Sequence, residues 1–413
     1  MSKLHLEHWW ISRSELLALE TLRASLNAAG IELTDDAAEA DVCAALMPAQ
    51  RVWEGLCGFG PRPLPLAQYL SPHDLQHRLF APFRAVDSPS HLSLYGIPIG
   101  VSRCNTLWIN KAIAREVGER PTDLEGFRRW LLEAAKLVEH PLGLGPEDWH
   151  VGLLFEAIIL SMHGSEVHRA ALCSGSIGAF ESDCIKESLN FVCRIKELVS
   201  PENSVSAWHQ AALDCQEGRS AAVAMGDWAH NEFNRDLTGR HDDYHAVCKW
   251  AVPGTGSTFL YNVDYIVPVE RDDRATDETA LGELTRALLS PKAQSDFGLI
   301  KGSHPVVRDA ESANIDPRAR KLFQLATISP NLFVPSMSLL QGSPRVVRDG
   351  VTDAVRELLY RDGTVEAAHA KIKQSWSSQN RTRAACDRTP GVLHSLADEH
   401  HSGRQDPCER HAA

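Results

Sequence analysis

The architecture is readable from one stretch near the N-terminus, Leu4-His5-Leu6-Glu7-His8-Trp9-Trp10-Ile11-Ser12-Arg13-Ser14-Glu15. Apolar and polar residues alternate up to Trp9, which predicts a β-strand. Ser12 and Glu15 then have the spacing of a capping box, in which each side chain accepts a hydrogen bond from the other's backbone. One apolar face follows at Leu16, Leu19, Leu22 and Leu26. A strand joined directly to an amphipathic helix is the repeating unit of α/β proteins.

The same alternation continues along the chain. Further strands are predicted at 97–101, 221–225 and 259–263. Thr122 and Glu125 have the spacing of a second capping box, ahead of a helix with a regular apolar face. Together these elements predict an α/β protein with largely parallel sheets. From residue 377 the apolar pattern stops, so 377–413 is predicted to be a disordered tail.

Length and charge argue against several classes of function. The 413 residues suffice for two or three domains with their own cores. Lys and Arg number 42 against 54 Asp and Glu, a net charge of -12. Such an acidic chain is poorly suited to the phosphates of nucleic acid or to an anionic membrane surface. No stretch approaches the roughly 20 apolar residues that span a bilayer, so we expect no nucleic-acid or membrane partner.

Two features predict where the protein works. The strand-like alternation starts at Leu4, which leaves no room for a secretory signal in the sequence as written. The ten cysteines form no CxxC pair, and free thiols among apolar neighbours are typical of a reducing compartment. The sequence as written therefore predicts a cytoplasmic protein. A start codon farther upstream, with its own signal, would instead predict a periplasmic one.

The chain lacks the motifs of common catalytic and cofactor sites. It has no phosphate-binding loop, no dinucleotide-binding glycine motif, no zinc-protease helix and no nucleophile elbow. Several potential metal ligands lie in the predicted tail, where nothing orders them: His394, His400, His401, Cys408 and His411. We therefore predict no enzymatic activity, no metal and no cofactor.

Tryptophans and polar residues cluster instead at predicted strand ends. Trp9 and Trp10 lie directly before a helix, and Met225-Gly226-Asp227-Trp228 ends a strand. Asn262 and Asp264 interrupt an apolar run. In open α/β sheets, ligands bind at the carboxyl ends of the strands, so these segments together indicate a pocket. Each segment taken singly fits a core tryptophan with structural hydrogen bonds equally well.

In these segments the sequence resembles the extracellular solute-binding proteins of sugar ABC importers, especially the glucose-binding type. The resemblance covers roughly residues 4–375 and is carried by separate motifs in a fixed order: His8-Trp9-Trp10 with Glu15, Ile97-Pro98-Ile99 leading to Arg103-Cys104-Asn105-Thr106-Leu107-Trp108-Ile109-Asn110-Lys111, Met225-Gly226-Asp227-Trp228, Tyr261-Asn262-Val263-Asp264, Lys301-Gly302-Ser303-His304-Pro305-Val306 and Val334-Pro335-Ser336-Met337. It implies a periplasmic-binding-protein-like fold, in which two α/β lobes joined by a multi-strand hinge enclose a ligand cleft. The implied lobes are 1–110 with 264–325, and 111–263 with 326–376.

The resemblance also implies which residues bind the ligand. The family's sugar-stacking aromatics correspond to Trp9, Trp10 and Trp228. Flat aromatic faces suit the C–H face of a pyranose and lose little rotamer freedom on binding. The family's hydrogen-bonding residues correspond to Glu15, Asp264 and Lys301. Charged groups of this kind can re-pair sugar hydroxyls as these leave water.

The sequence departs from the family pattern at several places. Leu46 and Leu339 stand where glucose binders carry a lysine and a histidine that reach the sugar, and Ser102 stands where many relatives have histidine. Trp149 and His150 replace a Trp-Gln pair, so His150 is either a cleft residue or an ordinary loop histidine. A site that loses hydrogen-bonding groups discriminates differently among hydroxylated ligands. We therefore expect weakened glucose binding or a less hydroxylated ligand.

The leading hypothesis is reversible binding of a small saccharide by hinge closure, without a chemical step. Closure is an open–closed equilibrium that a ligand shifts through contacts made when both lobes meet. In this role the protein would be the substrate-binding component of a sugar ABC importer, a monomer with the permease as partner. The alternative is a cytoplasmic sensor or interaction protein that presents the same fold to a signalling partner. An enzyme on this scaffold is a third option, with no identifiable nucleophile–base pair.

Overall fold

The computed structural model describes two lobes, each built on its own β-sheet and hydrophobic core. The described residues are 2–48, 62–66, 69, 79, 95–173, 178, 182–233, 244–271, 275–310, 321, 323–325, 328–329, 332–337 and 345–386. In these ranges no helix is both long enough and apolar enough to cross a membrane.

Strands and helices alternate along the described chain, as the sequence predicts. The strands are β1 (Ser2–Glu7), β2 (Ile31–Leu33), β3 (Val42–Pro48), β4 (Ile97–Arg103), β5 (Thr106–Asn110), β6 (Leu142–Gly143), β7 (Ala222–Ala224), β8 (Val247–Ala251), β9 (Phe259–Pro268) and β10 (Phe333–Pro335). The helices are α1 (Arg13–Ala28), α2 (Lys111–Val117), α3 (Leu124–Ala134), α4 (Asp148–His168), α5 (Asp183–Ile195), α6 (Trp208–Gln216), α7 (Glu278–Leu288), α8 (Pro291–Lys301), α9 (Arg345–Tyr360) and α10 (Val365–Cys386). A 3₁₀ turn, Asp227–Glu232, follows β7.

The first lobe is built on a six-stranded sheet. Its strands lie in the order β10-β9-β3-β1-β2, and β4 pairs with β9. β1 runs parallel to β2 and β3, whereas β9 is antiparallel to β3 and β4. Helix α1 packs on this sheet and begins with the predicted capping box, in which Ser12 and Glu15 exchange hydrogen bonds. That part of the sequence prediction is confirmed.

The second lobe is built on a four-stranded sheet of order β6-β7-β5-β8. β5 is antiparallel to both β7 and β8, while β6 and β7 are parallel. Both sheets are therefore mixed, and the expectation of largely parallel sheets is wrong. The reason is that the chain returns between the lobes, so that β5 and β9 enter their sheets against the direction of their neighbours.

The chain crosses between the lobes at Cys104-Asn105, between β4 and β5, at 252–258, between β8 and β9, and again after β10, where Ser336 and Met337 contact the second lobe. The buried Asn105 side chain joins the first two crossings, since its amide donates to Thr255 and its oxygen accepts from the Leu260 N–H. β5 thus belongs to the second sheet, and all of β9 to the first. The lobe boundaries predicted after residues 110, 263 and 325 are therefore wrong. β10, predicted in the second lobe, also lies in the first sheet, because pairing between strands distant in sequence decides which lobe a strand joins.

Two helix ends also differ from the sequence prediction. α3 is capped by Asp123, whose carboxylate accepts from the Gly126 N–H at 2.7 Å, rather than by Thr122. α10 runs to Cys386, so the predicted tail starts about ten residues too early. Once a helix is anchored by a buried residue such as Trp376, adding further residues costs little even where half of them, such as Ser377, have low helix propensity. Residues 387–413 lie outside the described part of the chain.

Candidate functional site

Three of the predicted binding residues meet in the first lobe, at the start of α1 and the end of α8. Lys301 Nζ lies 3.5 Å from Glu15 Oε1 and 4.2 Å from the centre of the Trp10 ring. The indole also stacks on Phe297, with ring centroids 6.0 Å apart and planes 18° apart. All three predicted residues are buried. The cluster therefore combines an aromatic ring, a cation and a carboxylate.

Local structure fixes the two charged residues of this cluster. Glu15 Oε2 accepts from the backbone N–H groups of Ile11 and Ser12, at 3.2 and 3.1 Å, which leaves Oε1 for Lys301. Lys301 is the last residue of α8, and Gly302 after it has a left-handed φ of 76°. This conformation is nearly free for glycine alone and ends the helix at that point. Caps at two helix ends thus hold the ion pair in place.

Asp264 is buried in the middle of β9, where no neighbouring side chain pairs with it. Its cross-strand partners are Gly100 on β4 and Pro48 on β3, and neither residue type carries a polar side chain. Among the described residues nothing donates a hydrogen bond to its carboxylate. Burial raises the pKa of Asp264 to about 6, with Lys301 lowering it and Glu15 raising it. The residue is 8% exposed and its carboxylate oxygens reach solvent, so water or a bound ligand can donate hydrogen bonds to them.

The second lobe contributes tryptophans close to the crossing strands. Trp228 lies in the 3₁₀ turn after β7, with its ring edge-on to Trp149 at 5.7 Å and 75°. Trp149 is also edge-on to Trp208 at 6.3 Å. The turn itself packs against α1 and α8 of the first lobe. Aromatic residues of both lobes therefore lie close to the surface where the lobes meet.

No known family profile matches the chain, but curated proteins resemble it in sequence. A probable sugar-binding periplasmic protein of Mesorhizobium japonicum is 29% identical over 271 residues, which are 64% of this chain and 63% of that protein. The chain thus spans less than two thirds of that relative. A probable sugar-binding periplasmic protein of Brucella suis is 26% identical over 369 residues, covering 84% of this chain and 86% of the relative.

Solved structures resemble the chain over nearly its full length. A chitin oligosaccharide binding protein superposes with a TM-score of 0.72 at 15% identity, covering 92% of this chain and 99% of that one. The chain has the solute-binding-protein fold. A bacterial solute receptor with an exclusive preference for β-D-galactopyranose gives a TM-score of 0.71 at 9% identity, with the same coverage. The fold class predicted from the sequence is confirmed.

Within the solute-binding-protein fold, several predicted site residues lie away from the cluster. Trp9 is 51% exposed, whereas its neighbour Trp10 is 3% exposed. His150 is fully buried, since its Nδ1 accepts from the Gly145 N–H at 2.8 Å and its Nε2 bonds the Ala224 carbonyl at 2.6 Å. Both ring nitrogens are thus used by the backbone. The suggestion that His150 lines the cleft is wrong.

The residues that depart from the family pattern lie in different environments. Leu46 is buried in the core of the first lobe and is paired across the strands with Ile266. Leu339 lies outside the described residues. The hydroxyls of Ser102 and Ser303 are buried and have no hydrogen-bond partner within the described structure. Ser303 lies two residues after Lys301, within the same sequence motif, but a serine in a polar motif carries no local signal that its hydroxyl is buried.

One cavity lined by described residues is away from this cluster. It has a volume of about 500 Å³ and opens beside α1 between Leu16, Arg23 and Leu33. No predicted binding residue lines it. Trp10, Asp264 and Trp228 are all buried. No group of three potential metal ligands occurs among the described residues.

Proposed function

We propose that this protein reversibly binds a small saccharide between its lobes, as the substrate-binding component of a sugar ABC importer. The observation that carries the proposal is Asp264, a buried carboxylate without a hydrogen-bond donor, next to the Trp10, Glu15 and Lys301 cluster. A ligand with several hydroxyl groups supplies those donors. Hydrogen bonds to a charged group are worth about 1.5–3 kcal/mol each, so a few of them give useful affinity.

The aromatic residues support a sugar rather than another polar ligand. A pyranose has hydroxyls around its edge and an apolar C–H face, which packs on a flat ring. Trp10 in the first lobe and Trp228 in the second are the rings we assign to this role. No chemical step belongs to the proposal, because the curated relatives are all named as binding proteins.

The ligand we propose is a glucose-like or modified sugar with fewer hydrogen bonds than glucose itself makes in the resembling proteins. Leu46, at the position of the family's lysine, lies in the apolar core and offers no donor. Within the described cluster, Asp264 and Glu15 face a single cation, Lys301. This excess of negative charge disfavours sugar acids, because a further buried carboxylate would lack a counter-charge.

The partner we propose is an ABC permease, and the compartment is the periplasm. The support lies in the names of the relatives, which are sugar-binding periplasmic proteins and an ABC transporter extracellular-binding protein of Pyrococcus horikoshii. These names favour the importer role over the cytoplasmic sensor considered from the sequence. We propose that the protein acts as a monomer in this role.

The experiment that tests the proposal is a thermal-shift screen of the purified chain against monosaccharides, disaccharides, polyols and sugar acids. A ligand at one hundred times its dissociation constant stabilises the folded form by about 2.7 kcal/mol, which raises the melting temperature visibly. We expect a hit among the neutral sugars and none among the sugar acids.

The hit is then repeated on Asp264→Asn, with Asp362→Asn as the matched control. Asp362 is exposed in the turn between α9 and α10, so its change leaves the site untouched. Loss of the shift in the first variant and its retention in the second support the assignment. A flat response of folded wild-type protein to the whole panel, or equal responses of both variants, contradicts it.

A further inference from the structure

The second lobe holds the first through a carboxylate placed at the N-terminus of a helix. Glu232 ends the 3₁₀ turn of the second lobe, and its Oε1 accepts from Ser14 N at 3.1 Å and from Ser14 Oγ at 2.6 Å. Ser14 lies in the first turn of α1, where backbone N–H groups have no partner within the helix. A negative charge at this end of a helix is also favoured by the helix dipole.

The same turn also reaches the C-terminal end of a second helix. The side-chain amide of Asn231 donates to the carbonyl of Ile300, one residue before the end of α8. Carbonyls in the last turn of a helix lack intrahelical donors. Neighbouring residues of one turn thus provide an acceptor for one helix start and a donor for another helix end. The Glu232 carboxylate thus meets the helix end that carries free N–H groups, and the Asn231 amide meets the helix end that carries free carbonyls.

Gly302 lets the turn come this close. A Cβ atom added to Gly302 would lie 2.5 Å from the Asp227 carbonyl oxygen and 2.6 Å from His230 Cβ. Both distances are below any normal contact, so the turn is seated directly on the glycine. Its left-handed φ of 76° disfavours other residues independently.

We infer that the turn Asp227–Glu232 is a latch that holds the lobes closed before any ligand arrives. The inference goes beyond the proposed function, because neither Glu232 nor Asn231 needs a sugar for its contacts. The latch contacts Ser14 and Ile300, which directly adjoin Glu15 and Lys301 of the candidate site. Glu232 and Asn231 are therefore positioning residues that set ligand affinity through the closed fraction of the protein.

Ligand-free protein is the right sample for the test. The Ser14 amide is a specific probe, because its N–H donates to Glu232 and helix α1 itself offers it no acceptor. Its hydrogen exchange and the radius of gyration from small-angle scattering are compared between wild type, Glu232→Ala and Glu232→Gln. Glu197→Ala is the control, since Glu197 is a glutamate of the same lobe with an 86% exposed side chain.

We expect Glu232→Ala to speed Ser14 exchange about tenfold or more, the factor that corresponds to 1.4 kcal/mol. Its radius of gyration should rise, Glu232→Gln should lie between it and wild type, and Glu197→Ala should match wild type. Gly302→Ala should open the lobes by a separate route, because its methyl group collides with the turn. An unprotected Ser14 amide in wild type overturns the inference, as do unchanged exchange and radius in folded Glu232→Ala. No sugar enters these measurements, so their failure is distinct from failure of the proposed function.

Discussion

Replacing Asp264 by Asn is expected to stabilise the ligand-free protein while it weakens sugar binding. Burial raises the pKa of Asp264 from an ordinary 3.8 to about 6. A pKa difference of one corresponds to about 1.36 kcal/mol, so the ionised carboxylate costs the folded state about 3 kcal/mol at pH 7. The neutral amide removes that cost, and it also removes the acceptor that we assign to the sugar hydroxyls.

The direction of the Asp264 pKa shift determines the pH range in which this residue changes the stability of the fold. Because the folded pKa is raised, the group's contribution to stability is fully present below about pH 4 and is lost as the pH rises through about 6. The stability advantage of Asp264→Asn over wild type should therefore be largest at pH 7 and should vanish near pH 4.

Urea unfolding at pH 7 and pH 4.5 measures this directly, with Asp362→Asn as the exposed control. The difference in unfolding free energy between variant and wild type is the quantity to compare, since other groups titrate in both proteins. A variant that is less stable than wild type at pH 7, or a difference that does not change with pH, refutes the reasoning.

Three further substitutions test which of the predicted site residues are buried and which contact the ligand. Trp10→Ala should weaken binding of the sugar found in the screen by tenfold or more, about 1.4 kcal/mol, and should cost about 3–5 kcal/mol of stability. Trp9→Ala, the exposed neighbour, should cost less than about 0.5 kcal/mol of stability; equal costs in urea unfolding contradict the assigned burial. His150→Phe should lose about 1–3 kcal/mol for each backbone group left unpaired. Burial lowers the pKa of His150 to about 4, although the hydrogen bond from its Nε2 to the Ala224 carbonyl raises it. Wild type should therefore lose stability from about pH 6.5 down to 4 relative to the variant, and parallel pH curves would contradict this.

The sequence predicted best where the structure depends on neighbouring residues. The capping box of Ser12 and Glu15 is complete within four positions, so its spacing alone indicated the start of α1. Trp10, Glu15 and Lys301 were predicted from a resemblance of motifs, and the structure brings these distant residues together. Whether they bind a sugar remains a prediction.

Long-range contacts account for what the sequence missed. His150 is held by backbone groups of Gly145 and Ala224, and the latter lies far along the chain. No local pattern reports such a contact, and so a core histidine resembled a binding residue. Glu232 likewise gains its role only from Ser14 in the other lobe. The lobe boundaries depended in the same way on the strands that pair with β5 and β9.

The amide of Asn105 has a mechanical consequence for opening. It bonds the backbone of both Thr255 and Leu260 while fully buried, so that separating these two crossings would leave a buried polar group without its partners. Any change in the angle between the lobes that keeps these hydrogen bonds therefore moves 104–105 and 252–260 together.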